Sequence, residues 1–383
     1  MVSVGTNSGL TVMVIYGTRP EAIKVAPVIK ALERSEHLDP IVVVTAQHRE
    51  MLDQVNEVFG IVPKIDLNLM SHGQTLNSIA GTVISKIDEV IEAHRPNAVL
   101  VQGDTTTVMA AGIAAFNRGV PVVHLEAGLR SGDINSPFPE EANRKIVSQI
   151  AAVHLAPTSV AQANLIAEGL PGENIHVVGN TVIDALQWAV ERRSATSISE
   201  LDDSRCEESR VLLVTTHRRE NLGENMVNIG RALRKLALNY PELLVVWPAH
   251  KNPKVRSSIS PQIDDLPNVI STEPLEYGAF SSLIARSHIV LTDSGGIQEE
   301  APSLGKPVLV LRENTERPEA VVAGTVKLIG TDPDRIVREV SHLLEDETAY
   351  ATMANATNPY GDGNSADRSV AIISALLSGD QKK

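Results

Sequence analysis

Short apolar, β-branched runs alternate along this chain with longer segments whose apolar residues recur at helical spacing. A first series comprises Val12–Tyr16, Ile41–Thr45, Ala98–Gln102, Val120–Leu125, Val153–Ala156 and Ile175–Val178. A second comprises Val211–Thr215, Leu243–Trp247, Asn268–Ser271, His288–Thr292, Pro307–Leu311 and Val326–Ile329. Runs that are apolar on both faces and separated by helices predict parallel sheets covered on both sides. Glu191–Arg210, charged and rich in serine, divides the two series and reads as a linker or solvated helix rather than core. Pro359–Asn364 is a turn-rich break, and Ala366–Leu377 after it has the periodicity of a helix. No internal repeat, low-complexity tract or coiled-coil heptad interrupts the pattern. Two doubly wound sheets would place ligands at the carboxyl ends of their strands, so the residues just after each run carry the functional weight.

Composition sharpens this picture. A length of 383 residues suits two domains at roughly 100–200 residues each. Aromatic residues make up 3 %, so aliphatic side chains must do most of the packing. A net charge of −13 disfavours general binding to nucleic acid or to an anionic membrane, both of which need a positive field. An anionic small molecule remains accessible through local Arg and Lys. The single cysteine, Cys206, sits in an acidic polar stretch and reads as incidental; it can form neither an internal disulfide nor a cysteine zinc site. Ser3–Gly9 lacks the basic start of a signal peptide, and Leu10–Tyr16 is too short to span a bilayer. Together with the cysteine usage, these features make the cytoplasm the expected location.

The first run ends in Gly17-Thr18-Arg19-Pro20-Glu21, with Lys24 on the helix that follows. A glycine turn at a helix start exposes backbone N–H groups to an anion, and Arg19 and Lys24 add charge; a plain turn beside a solvated helix face fits as well. No Walker lysine motif occurs, which disfavours nucleoside triphosphate hydrolysis. The third run ends in Gln102-Gly103-Asp104-Thr105-Thr106-Thr107 and the fourth in His124-Leu125-Glu126-Ala127-Gly128. Either acid could merely cap a helix, but two at equivalent ends of neighbouring strands suggest chemistry. Ser136-Pro137-Phe138-Pro139-Glu140-Glu141 follows, then Asn143 and Arg144; the prolines order the loop and the two glutamates open a helix. Glu141 in that position also suits the helix dipole and needs no further role.

In the second half, Thr216-His217-Arg218-Arg219-Glu220-Asn221 follows one run, and Trp247-Pro248-Ala249-His250 ends the next. A histidine at the ligand edge among charges is a candidate for chemistry, although a lone histidine is more often structural. Asp293-Ser294-Gly295-Gly296-Ile297-Gln298-Glu299-Glu300 combines small residues with a helix start, a phosphate-binding pattern, and Glu300 stands where it can reach ribose hydroxyls. Thr315-Glu316-Arg317-Pro318-Glu319 supplies another cation. No clustered His/Cys spacing suggests a metal. Neither a Gly-x-Gly-x-x-Gly fingerprint nor a Tyr-x-x-x-Lys pair appears, which argues against a nicotinamide cofactor.

Taken together, these residues resemble the non-hydrolysing UDP-N-acetylglucosamine 2-epimerase family of bacterial type. The resemblance runs through Gly17–Pro27, Thr45–Gln54, Gln102–Thr107, His124–Arg130, Ser136–Arg144, Gly179–Leu186, Thr216–Asn221, Thr292–Lys306, Thr315–Gly330 and Asn358–Gly363. It implies an α/β fold of two Rossmann-like doubly wound domains, glycosyltransferase-B-like, with the active site in the interdomain cleft. The expected domains are residues 10–182 and the UDP-binding residues 183–360, with a C-terminal helix over 364–378 packing back on the first. It further implies a homodimer with no cofactor, acting on a UDP-sugar. Catalytic acids are implied at Asp104, Glu126 and Glu140, and a catalytic histidine at His217. Substrate contacts are implied at Arg19, Lys24, Leu275, Phe280, Ser294, Gly295, Gly296, Glu300 and Arg317, with Phe280 stacking on uracil.

That residue set suits a particular reaction. Carbon 2 of the sugar bears an acetamido group and has no adjacent carbonyl, so simple enolisation is closed. Removal of its proton can instead accompany departure of UDP from carbon 1, giving 2-acetamidoglucal, and re-addition on the other face inverts the centre. This route needs a base, an acid on the opposite face and cations for the leaving diphosphate. The residues do not say which acid is the base. A glycosyltransferase on the same fold, a hydrolysing relative that releases N-acetylmannosamine, and a non-enzymatic sugar-nucleotide sensor stay open as alternatives. Some bacterial members of the family also bind UDP-N-acetylglucosamine as activator. Gln47, Glu140, Arg218 and His250 fit that site, whereas Glu50 and Gly73 stand where those members carry glutamine and arginine, so weak activator dependence is expected.

Overall fold

The structure, a computed structural model, describes residues 9–45, 49–69, 73–192 and 209–379. They form two compact units: residues 1–185 with 360–383, and residues 186–359. The charged stretch expected to link the two series lies mostly outside the described residues.

The first unit is built on seven parallel strands: β1 (Leu10–Tyr16), β2 (Leu38–Val44), β3 (Ile65–Asp66), β4 (Ala98–Gln102), β5 (Val122–Leu125), β6 (Val153–Ala156) and β7 (Ile175–Val177). Their order is β3-β2-β1-β4-β5-β6-β7. Val12–Tyr16 and the whole of β4 are buried, as expected for strands covered on both faces. The helix Arg19–Glu33 starts sharply because Thr18 and Glu21 form a reciprocal capping box and Pro20 occupies the first turn. Pro40 is tolerated inside β2 because β3 pairs only with Val43 and Val44, leaving the Pro40 edge without a ladder partner on that side.

The second unit carries β8 (Arg210–Thr215), β9 (Leu243–Pro248), β10 (Val269–Thr272), β11 (Ile289–Thr292), β12 (Val308–Val310) and β13 (Val326–Leu328). These are also parallel, in the order β10-β9-β8-β11-β12-β13. Aliphatic residues fill its core, with Trp247 as the large exception. The twelve apolar runs of the sequence all became strands. The thirteenth, β3, is two residues long and has no pattern to betray it.

In each unit the strand order reverses beside the first strand, between β1 and β4 and between β8 and β11. Successive crossovers leave those points in opposite directions, so a crevice opens beyond the carboxyl ends of the central strands. The loops that open there begin at Gly17, Gly103, Thr216 and Asp293. After the second sheet the chain rejoins the first unit. Asn180 N–H donates to Tyr360 O at 2.6 Å, and Ala366 N–H donates to Asp184 Oδ1 at 2.8 Å. The helix Ser365–Ser378 then lies against the first helix, where Arg34 pairs with Asp367 at 2.7 Å.

Candidate active site

At the switch point of the first unit, β4 and β5 deliver Asp104 and Glu126 side by side. Neither caps a helix: Thr105 caps the helix Thr106–Asn117, and Glu126 is held in the left-handed region at φ +63°. That conformation costs about 1–2 kcal/mol for a residue with a Cβ, so the surroundings must impose it. Lys24 pairs with Glu126 Oε1, while Gln102 Nε2 donates to Oε2 at 2.5 Å and Asn180 Nδ2 to Oε1 at 3.3 Å. Asp104 pairs with Arg144 at 2.5 Å, and Asn143 Nδ2 donates to the Asp104 carbonyl at 2.8 Å. Burial pushes the Asp104 carboxyl above the usual range; the Arg144 guanidinium pulls against this and the Glu126 charge adds to it.

Asn143 and Arg144 belong to the helix Glu140–Ile150, so the same contacts dock the start of that helix beside Asp104. Glu140, its first residue, has a buried Oε2 with no hydrogen-bond partner among the described residues. Glu141 is fully buried and accepts from Arg144 Nη1 at 3.1 Å and from Ser131 N–H at 3.1 Å. It therefore holds the loop and Arg144, a larger part than the helix dipole required.

Two further groups brace this edge. Glu21 accepts from Gly17 N–H at 2.7 Å, Thr18 N–H at 2.9 Å and Thr105 Oγ1 at 2.6 Å, tying the loops after β1 and β4 together. Burial raises its pKa in spite of these donors. His124 Nε2 lies 2.8 Å from Gly103 O; burial lowers this ring to about 4, so it is neutral and donates Nε2–H to the carbonyl just before Asp104. Arg19 opens the first helix near this edge. Lys24, implied as a substrate contact, is set against Glu126.

At the switch point of the second unit, Asp293 ends β11 beside His217, which follows β8. Asp293 is fully buried and accepts from His217 N–H at 3.0 Å to both oxygens, Arg218 N–H at 3.0 Å and Asn221 Nδ2 at 3.1 Å. His217 Nδ1 lies 3.1 Å from Asp293 Oδ1. His250 stands near, its ring centroid 6.0 Å from that of His217. Gly295 is crowded by cations: a Cβ there would lie 3.4 Å from Arg218 Nη2 and 3.8 Å from Arg317 Nη2. Arg317 is oriented by Glu299, and Arg312 behind it is neutralised by Glu220 at 2.6 Å and Glu316 at 2.7 Å. Ser294 and Gly296 flank Gly295, and Glu300 ends that short helix, half-buried. Leu275 lies half-buried just before the helix Tyr277–Arg286 and Phe280 half-buried in its first turn.

The structure thus gathers Lys24, Asp104 and Glu126 in the first unit, with Glu140 on the docked helix. In the second it gathers His217, Arg218, Gly295 and Arg317. Gln47 and the Glu50 side chain lie outside the described residues; Gly73 is exposed, with φ +81°. Among the described residues, no group of three or more His, Cys, Asp and Glu is placed to hold a metal ion. No described helix is long and apolar enough to cross a membrane. The motifs contained Asp293, Arg144, Gln102 and Glu21 without assigning them a role. Their signal is topological: Gln102 and Asp293 end or follow a strand at a switch point, and Glu21 sits one helical turn from the residue that does, whereas Arg144 comes from a helix that only the fold brings to Asp104.

Two parallel Rossmann-like sheets, each with paired charges at its switch point, define a two-domain enzyme of the glycosyltransferase-B-like class. The model of the family described as UDP-N-acetylglucosamine 2-epimerase matches residues 30–374, and the chain belongs to that family. It is 49 % identical over 374 residues to the UDP-N-acetylglucosamine 2-epimerase of Salmonella typhimurium, covering 96 % of this chain and 99 % of the relative. The Bacillus subtilis enzyme of the same name is 49 % identical over 368 residues, covering 96 % of this chain and 95 % of its own length. The crystal structure of the Neisseria meningitidis UDP-GlcNAc 2-epimerase bound to UDP-GlcNAc superposes with a TM-score of 0.82 at 48 % identity, covering 96 % of this chain and all of that one, 100 %.

Proposed function

We propose that this chain interconverts UDP-N-acetylglucosamine and UDP-N-acetylmannosamine by eliminating and re-adding UDP. The observation that carries the reading is the pair Asp104 and Glu126, two partly buried carboxylates on adjacent strand ends, each set against its own cation. A carboxylate removes the proton from carbon 2, and the C–H electron pair forms the C1=C2 double bond. The C1–O bond breaks, and its pair leaves on the β-phosphate oxygen of UDP. UDP then attacks carbon 1 again while a proton reaches carbon 2 on the opposite face. Having two or three acids, Asp104 and Glu126 with Glu140 at the start of the helix that Asn143 and Arg144 tie to Asp104, suits a reaction that needs proton transfer on both faces. Arg218 and Arg317 supply the positive charge that the departing diphosphate requires, and Glu300, Phe280 and Leu275 the contacts to the nucleoside. His217 acts at the sugar or the bond to UDP.

The family resemblance supports four wider readings. The chain works in the cytoplasm as a homodimer, its product feeds surface polysaccharide synthesis, and activator dependence is weak because Gly73 and Glu50 replace an arginine and a glutamine.

Purified protein incubated with UDP-N-acetylglucosamine in deuterated water and followed by NMR tests the reaction. UDP-N-acetylmannosamine should appear, and carbon 2 of both epimers should acquire deuterium. Full retention of the original hydrogen would eliminate the elimination route. Release of free N-acetylmannosamine and UDP would assign the chain to the hydrolysing chemistry instead.

A further inference from the structure

Asp293 has no counterpart among the residues that the sequence pattern singles out for chemistry, yet the fold invests heavily in it. Strands β8 and β11 are parallel neighbours with Thr215 opposite Thr292, and the two hydroxyls share a hydrogen bond of 2.6 Å. This register places the next residue of β11, Asp293, against Thr216 and His217. The carboxylate is fully buried, and burial alone would raise its pKa. The His217 side chain and the main-chain N–H groups of Arg218 and His217 outweigh that cost, leaving Asp293 below its ordinary value and ionised. An ionised carboxylate only accepts hydrogen bonds. The proton at the contact between His217 Nδ1 and Asp293 Oδ1, 3.1 Å apart, must therefore sit on Nδ1, and Nε2 is the bare nitrogen in that tautomer.

We propose that Asp293 is the positioning residue for His217: it fixes the Nδ1–H tautomer and the ring orientation, so that Nε2 is the nitrogen that meets the sugar nucleotide. The inference rests on the epimerase reading for its consequence in catalysis, but not for the geometry. The main-chain bonds to His217 and Arg218 anchor the loop, while the Nδ1 bond sets the ring. The same carboxylate stabilises the imidazolium whenever Nε2 takes a proton, a division of labour known from other carboxylate–histidine pairs.

Nitrogen-15 histidine labelling of the full-length protein tests this directly. Long-range proton–nitrogen spectra, with His217→Asn identifying the signal, should show His217 as the Nδ1–H tautomer near neutral pH. A protonated Nε2 with a bare Nδ1 in the wild type would overturn the proposal, whatever the protein catalyses. Asp293→Asn keeps an oxygen for the main-chain donors but turns an amide N–H toward Nδ1, so the tautomer should invert. In the epimerase assay, kcat should fall by about 10²–10⁴-fold, with KM changed far less. Introduced into His217→Asn, the same substitution should cost almost nothing more, because residues acting through one another are not additive. An equal loss in both backgrounds would make Asp293 merely structural and overturn the proposal. An inactive wild type would refute the epimerase reading alone, since the tautomer is read without substrate.

Discussion

The Asp104–Arg144 pair shows how one contact can set a working carboxylate. Asp104 is one-quarter exposed and Arg144 less so, at side-chain values of 25 % and 17 %. Burial drives Asp104 toward its neutral form, and Arg144 is the main restraint. Substituting Arg144→Gln removes the cation and leaves the Glu126 charge unopposed from that side. An opposite charge at such range lowers a carboxylate pKa by about 1–3 units. The acidic limb of the kcat/KM–pH profile should therefore move upward by roughly one unit or more in the variant, because ionised Asp104 is then lost at higher pH. A steady-state profile from pH 5 to 9 checks this. An unchanged limb would mean that Asp104 ionisation does not govern the rate.

Among the secondary-structure elements, the critical geometry is where a loop must approach a helix. Gly128 follows Glu126 by two residues and has φ +91°. A Cβ added there would lie 2.2 Å from the carbonyl oxygen of Ala161, in the helix Ser159–Ala167. Neither party can yield cheaply, since one is a strained turn and the other helix backbone. Gly128→Ala should destabilise the first unit by about 2–4 kcal/mol, combining left-handed strain with forced overlap. Hydrogen-exchange mass spectrometry on β5, β6 and that helix should show the loss there, with β8–β13 unaffected. Protection equal to wild type across β5 would show that the helix can shift freely.

Over the molecule as a whole, pH acts unevenly. His124 and His154 face each other in register on β5 and β6, and burial lowers both to about 4. Unfolded histidine titrates near 6.5. Below that value the unfolded chain binds protons that the folded unit refuses, so their contribution to stability falls as pH drops from about 6.5 to about 4. The slope is about 1.4 kcal/mol per pH unit for each ring. Glu21, Asp104 and Asp184, whose pKa values burial raises, act in the opposite direction, losing stability as pH rises. The histidine effect is therefore read as a difference. Relative to wild type, His154→Asn should grow steadily less destabilised between pH 6.5 and pH 4.5 in urea unfolding. A constant difference would show that His154 binds its proton in the folded state as readily as in the unfolded.

Both sheets are legible in the pattern of the chain alone. Strands buried on both faces must be apolar throughout, so the central ones stand out as runs; the outer strands β7, β10 and β13, with exposed positions at Val177, Ser271 and Lys327, still carry enough β-branched or aliphatic residues between turns to be read. The same pattern also located Asp104, Glu126 and His217 as strand-end residues, since ligand edges lie at carboxyl ends, and it opened a helix at Glu140. What it did not contain was adjacency. Strand order is a long-range property, so nothing near Asp293 in the chain says that β11 lies beside β8 and that its last carboxylate will hold His217. The same holds for Arg144 on Asp104, 40 residues apart by number, and for Lys24 and Asn180 on Glu126. β3 escaped notice because two residues carry no period. Local pattern is encoded by which faces must be buried, whereas the partners of a charge are chosen by which strands the sheet brings together, and only the folded chain decides that.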